Sequence, residues 1–129
     1  MKMPKWIKPL FVFSALYDGV LGVVFLAVPM RLYELAGVTP PNHIGYVQFP
    51  AALLLIFGLM FLAIARDPVG RRHLIPYGIM LKVAYCGVTS FHWVTADIPF
   101  MWKPFVVIDV LMGILFVWAY LILHVTRDD

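Results

Sequence analysis

Three ionisable side chains stand where the sequence is otherwise built of hydrocarbon. Lys82 lies within residues 77–93, YGIMLKVAYCGVTSFHW; Asp18 lies within SALYDGVLG; Asp109 lies within FVVIDVLMG. A lysine at membrane depth costs about 2.5–3.5 kcal/mol on insertion scales, so it must face an opposite charge, water or a ligand rather than lipid. The chemistry open to such a group is an ion pair, a proton path, or the holding of the polar end of a lipophilic molecule. Read at helical spacing, Gly78, Lys82, Tyr85, Cys86, Thr89 and Trp93 share one side of this stretch, while Ile79, Leu81, Val83, Ala84 and Val88 form the other.

The elements that must position these groups follow from composition. The chain has 129 residues, 63% hydrophobic and 13% charged, with a mean hydropathy of +0.91. Soluble domains carry about 25% charged residues, and one small core has too little interior to absorb the apolar excess. Lipid is therefore expected to solvate much of this surface. Residues 10–28, 46–65, 74–94 and 102–124 are each apolar and long enough to cross a hydrocarbon core of about 30 Å. The spacing predicts an all-α fold, a polytopic membrane protein whose four transmembrane helices form an antiparallel bundle in one integral membrane domain over residues 1–129. A short interfacial helix is expected after the first span, in MRLYELAGVTPP. There Leu32, Leu35 and Ala36 recur at helical spacing, Gly37 is placed as a C-terminal cap, and Pro40 and Pro41 forbid continuation. No run of alternating ten-residue strands suggests a membrane β-barrel. The lysine-rich start resembles a signal peptide, but the following apolar run is too long and holds Asp18, so it is read as a retained first span.

Orientation comes from the basic residues. Lys2, Lys5, Lys8, Arg66, Arg71, Arg72 and Arg127 fall on the side of both termini, and only Arg31 and Lys103 fall on the other. That bias predicts cytoplasmic termini, with the chain in a bacterial inner membrane. Trp6, Tyr33, Tyr46, Trp93, Trp102 and Tyr120 near the span ends are expected to form the aromatic belts. The net charge of +3 is thus a topology signal; without a basic patch interleaved with aromatics, nucleic acid is not an expected partner. Second-span residues include no ionisable group beyond Tyr46 at the edge, so this span is expected to be scaffold or a face offered to a partner.

Counting about 1.5 Å of rise per residue places Asp18 and Lys82 each about 12 Å from the cytoplasmic face, and Asp109 about 20 Å from it. A lysine stem spans about 6 Å, so Asp18 is within reach and Asp109 follows if the helices tilt. Ser14, Asp18 and Gly22 recur every four residues, with Ala15 and Gly19 beside them, and Gly113 follows Asp109 by four. Small residues around a polar one mark a helix contact face in lipid. One buried cluster of Asp18, Lys82 and Asp109 is therefore expected, with Tyr17 and Tyr85 as hydroxyl donors and Trp93 as a further wall of a ligand site. It serves either as a peg that fixes helix register or as the lining of a pocket or proton path. Two acids against one base leave one negative charge, so a carboxyl, Asp109 before Asp18, is expected to be protonated or hydrated near neutral pH.

Other chemistry finds little support. The single cysteine, Cys86, excludes an intramolecular disulfide and any Cys-pair zinc motif. His43, His92 and Asp97 fall on one side of the membrane but lack metal-ligand spacing, and no metal or other cofactor is expected. Neither Ser14, Ser90 nor Cys86 has a histidine placed to activate it; no catalytic residue is assigned.

The layout, with a helix ending at Pro29, then LYELAGVTPP, a glycine-containing span leading to RDPVGRR, a span carrying Gly78 and Lys82 and a last one carrying Asp109, resembles the DoxX-like group of small four-helix bacterial membrane proteins. The resemblance implies quinone- or thiol-linked redox chemistry in some members, although the lone Cys86 speaks against dithiol exchange. No catalytic motif of that group carries over to a residue here. From the residues themselves the leading expectation is a non-enzymatic accessory, scaffold or self-associating subunit, as a homo-oligomer or within a larger membrane complex. The alternative is a binding or redox-associated membrane protein that holds a lipophilic ligand, a quinone or a lipid, beside Lys82, Tyr85 and Trp93.

Overall fold

Each apolar stretch is a helix, because backbone in lipid must satisfy its own hydrogen bonds. The computed structural model describes residues 3–125. Its helices are α1 (Ile7–Ala27), α2 (Pro29–Ala36), α3 (Gly45–Arg66), α4 (Ile75–Ala96) and α5 (Lys103–Val125), with 3₁₀ turns at Arg72–Leu74 and Phe100–Trp102 leading into α4 and α5. Four of these are long and apolar enough to span a membrane. The chain is a multi-pass membrane protein with the architecture of a four-helix bundle.

The ends carry the chemistry of stopping and starting. α1 begins three residues earlier than expected because Pro9 falls in its first turn, where no backbone N–H has an intrahelical partner to lose. Pro29 opens α2, and Gly37 closes it at φ 66°, a left-handed conformation that favours glycine. At the end bearing the basic residues, Arg71 Nη1 donates to the Ala63 carbonyl at 2.9 Å and Arg72 Nη1 to the Leu123 carbonyl at 2.7 Å. These arginines, read in the sequence as topology signals, therefore cap the C-terminal carbonyls of α3 and α5. Lys2 and Arg127, counted in that bias, lie outside the described residues.

The bundle is two close pairs, α1 with α3 and α4 with α5, whose backbones approach far more within each pair than between pairs. The α1–α3 seam is set by glycine. A Cβ at Gly22 would lie 2.7 Å from the Ala51 carbonyl oxygen, and one at Gly58 would lie 2.9 Å from Gly19 Cα. Neither helix can carry a side chain there without separating. The second span is thus a core element and not only scaffold: its inner face is taken up by α1, and its Phe61 fills the gap between pairs.

That gap is filled in one half only. Towards the termini, Phe11 stacks on Phe116 with centroids 5.1 Å apart, Phe61 lies 5.1 Å from Phe116, and Ile7, Ile64, Ile75 and Leu123 complete a buried plug. The other half holds no such plug. The polar groups sit where packed and unpacked halves meet.

Candidate functional site

Lys82 points into the bundle from α4, and it can do so because its neighbours are small. Gly113 of α5 lies against its stem, where an added Cβ would come within 3.4 Å of Lys82 Cβ. One turn earlier, Gly78 receives the Phe61 ring. Lys82 Nζ donates to both carboxylate oxygens of Asp18 at 3.1 Å and to Asp109 Oδ1 at 3.2 Å. Lys82 is 2% exposed, Asp18 1% and Asp109 7%. Three helices thus supply the three charges, and the ammonium is bound by both acids, its contact with Asp18 shared between the two oxygens of one carboxylate. Asp18 is the more enclosed acid and takes two of the bonds; Asp109 Oδ2 accepts none of them.

Two aromatic faces complete the ammonium's surroundings. Its nitrogen stands 5.5 Å from the centre of the Tyr17 ring and 5.8 Å from that of Phe61, positions at which ring quadrupoles attract a cation. Phe61 was not among the residues singled out by sequence, since a phenylalanine in an apolar span carries no distinguishing signal. Only its i−3, i+3 relation to Gly58 and Ile64, all buried, marks the inward face of α3.

The tyrosines differ from expectation. Tyr17 offers Lys82 its ring, and its hydroxyl is buried without a hydrogen-bond partner among the described residues. Tyr85 donates to the Trp102 carbonyl at 3.2 Å, because its position a turn beyond Lys82 brings it to the start of α5 rather than to the acids. Trp93 is not part of the cluster. It lies eleven residues along α4 from Lys82, about 16 Å by helical rise, and stacks under Lys103, whose nitrogen is 5.2 Å from its ring. Lys103 is paired with Asp97 at 3.1 Å. Asp97 ends α4 at φ 64°, and the Ile98 N–H, then Lys103, hold its carboxyl below the usual carboxylate range.

A cavity of about 380 Å³ occupies the unplugged half. Asp18 and Asp109 form part of its wall with Tyr17; Phe25 and Phe105 line it from α1 and α5, Tyr85 and Leu81 from α4, and Ala51 and Leu54 from α3. At its far end Trp102 lies 5.9 Å from Phe25 and 6.1 Å from Tyr33, ring centre to ring centre. Tyr33 and Trp102 read in the sequence as belt residues; α2 instead folds back and tucks Tyr33 inward, and burial raises that hydroxyl's pKa above the ordinary phenol value. The cavity is not sealed, for the exposed Tyr46 and Leu53 of α3 reach its rim.

No protein-family model, curated protein or solved structure matches this chain. His43 Nδ1 accepts the Gly45 N–H at 3.0 Å at the start of α3, His92 lies exposed against Phe91, and Cys86 makes only a long contact, 3.7 Å, to the Val106 carbonyl. Chemically, the arrangement joins a closed ion cluster to an apolar chamber with an open rim.

Proposed function

We propose that this chain is a small protein of the bacterial inner membrane, with cytoplasmic termini and kinship to the DoxX-like group, that binds a lipophilic ligand of the quinone or lipid class. The observation that carries the reading is the chamber itself. Its volume of about 380 Å³ falls within the roughly 300–1,000 Å³ of small-molecule sites, which are apolar with a few placed polar groups. A cluster serving only as a register peg would need no chamber beside it, and a buried hydroxyl without a partner, that of Tyr17, is normally satisfied by something. The distribution of basic residues supports the orientation.

Mass spectrometry of lipophilic molecules extracted from the purified protein tests the reading. A species enriched over bulk membrane lipid is expected from the wild type and should be lost from Leu54→Trp, which fills the chamber. Bulk lipid alone, recovered equally from both proteins, would sink it.

A second reading, an accessory or self-associating subunit, draws on α4, which turns Val83, Ala84, Gly87 and Val88 outward. A Cβ at Gly87 would meet nothing within 4 Å, so another helix could approach closely there. Co-purification in mild detergent should then give an oligomer or a partner; a strictly monomeric particle would count against it.

A further inference from the structure

We infer that the ligand of this chamber is a lipophilic cation, its positive centre held against Asp109 and the aromatic walls. The inference rests on the reading of the chamber as a ligand site and adds the sign of the ligand's charge.

Three features of the chamber point to a cation. Hydrogen-bond capacity comes first. Lys82 is turned to Asp18 and Asp109 and does not line the chamber, and Tyr85 donates to the Trp102 carbonyl. A ligand rich in acceptors, such as a quinone, would therefore find the Tyr17 hydroxyl and little else. A ligand that donates or is positively charged finds more: Asp109 Oδ2 takes no part in the bonds to Lys82, and the Tyr17 oxygen can accept.

Charge is the second feature. Asp18 and Asp109 stand at the chamber wall with Lys82 behind them, and the lining contributes no lysine, arginine or histidine. The ionised cluster is one positive charge short of neutrality. A buried net charge is costly in low dielectric; a proton on a carboxyl meets it when no ligand is bound, and an occupant bringing one positive charge can displace that proton and take its place, as an anionic one cannot.

The walls are the third. Phe25, Tyr33, Tyr85, Trp102 and Phe105 line the space in addition to Tyr17. Such a ring-walled chamber with a carboxylate is the chemistry by which quaternary ammonium and protonated amine ligands are recognised. The Tyr17 ring already faces one cation, Lys82, from 5.5 Å.

The test uses a matched pair of probes, benzyltrimethylammonium and its uncharged carbon isostere neopentylbenzene, in equilibrium dialysis against the purified full chain. Protein-free micelles provide the blank. The wild type is expected to hold the cation roughly tenfold or more tighter than the isostere. Asp109→Asn should remove most of that preference, Asp109→Glu should retain it, and Leu54→Trp should abolish binding of both probes. Equal affinity for the two probes in the wild type, with both lost in Leu54→Trp, would overturn the cation assignment and leave the ligand site standing. Binding of neither probe above the blank, or binding indifferent to Leu54→Trp, would overturn both. The wild-type comparison decides the charge question even if Asp109→Asn does not fold.

Discussion

At the scale of single residues, the decisive arrangement is one lysine shared by two unequal acids. Removing the lysine strands two buried carboxylates, and breaking a buried pair of this kind costs roughly 3–5 kcal/mol. Lys82→Met is therefore expected to melt far below the wild type in detergent. Lys82→Met combined with Asp18→Leu should recover part of the loss, because the stranded charge goes with its partner. Since Asp18 takes two of the three bonds and is the more enclosed, Asp18→Asn should destabilise more than Asp109→Asn; the reverse order in thermal melts would show that Asp109 is the principal counter-ion. Asp97 gives a pH-dependent prediction at the membrane edge. Its folded carboxyl is held below the ordinary range by the Ile98 N–H and Lys103, so its contribution is present above the unfolded carboxylate range and is lost as pH falls through the lowered value. Lys103 rests on Trp93, so acid titration should shift tryptophan emission in the wild type. The shift should be absent from Asp97→Asn and from Trp93→Phe.

At the scale of elements, the two seams of the bundle obey different rules. The α1–α3 seam depends on absent side chains: Gly22 and Gly58 let backbone meet backbone, and dispersion between close helices replaces the hydrophobic drive that lipid does not supply. Gly22→Ala should therefore lower stability by about 1–3 kcal/mol, the usual cost of overpacking. Gly87→Ala, on the open face of α4, should leave the thermal midpoint unchanged or raise it slightly. Equal destabilisation by both would mean that the close approach at Gly22 is not what joins the pair. The seam between pairs depends on large rings instead, packed together as a plug on one side of the charges and lining the chamber on the other.

At the scale of the whole molecule, the bundle is packed towards its termini and hollow towards the opposite end. The lopsided build keeps the ion cluster away from the terminal face through the Phe11, Phe61 and Phe116 plug and open to the chamber on the other side. The proposed cytoplasmic termini would put the chamber in the outer half of the membrane. A fluorescent-protein fusion at the C-terminus is expected to fluoresce, and an alkaline phosphatase fusion at the same point to be inactive. An active phosphatase would invert the topology and place the chamber in the cytoplasmic half.

The sequence by itself determined the spans, because twenty-odd apolar residues between prolines, glycines and basic turns have few other solutions in lipid. It also determined that Asp18, Lys82 and Asp109 could meet, since helical rise turns residue counts into depths and small residues mark contact faces. Tertiary structure decided how the remaining space is filled. Whether Tyr17 turns its hydroxyl or its ring to the ammonium depends on rotamer and neighbouring packing, and helical spacing is silent on both. So too with Trp93, which shares the face of Lys82 yet sits too far along the helix to join it, and with Phe61, one apolar residue among many. The hollow half is a property of no single segment. It exists because the rings between the two tightly paired hairpins fill the middle of the bundle at one end and stand around an open space at the other.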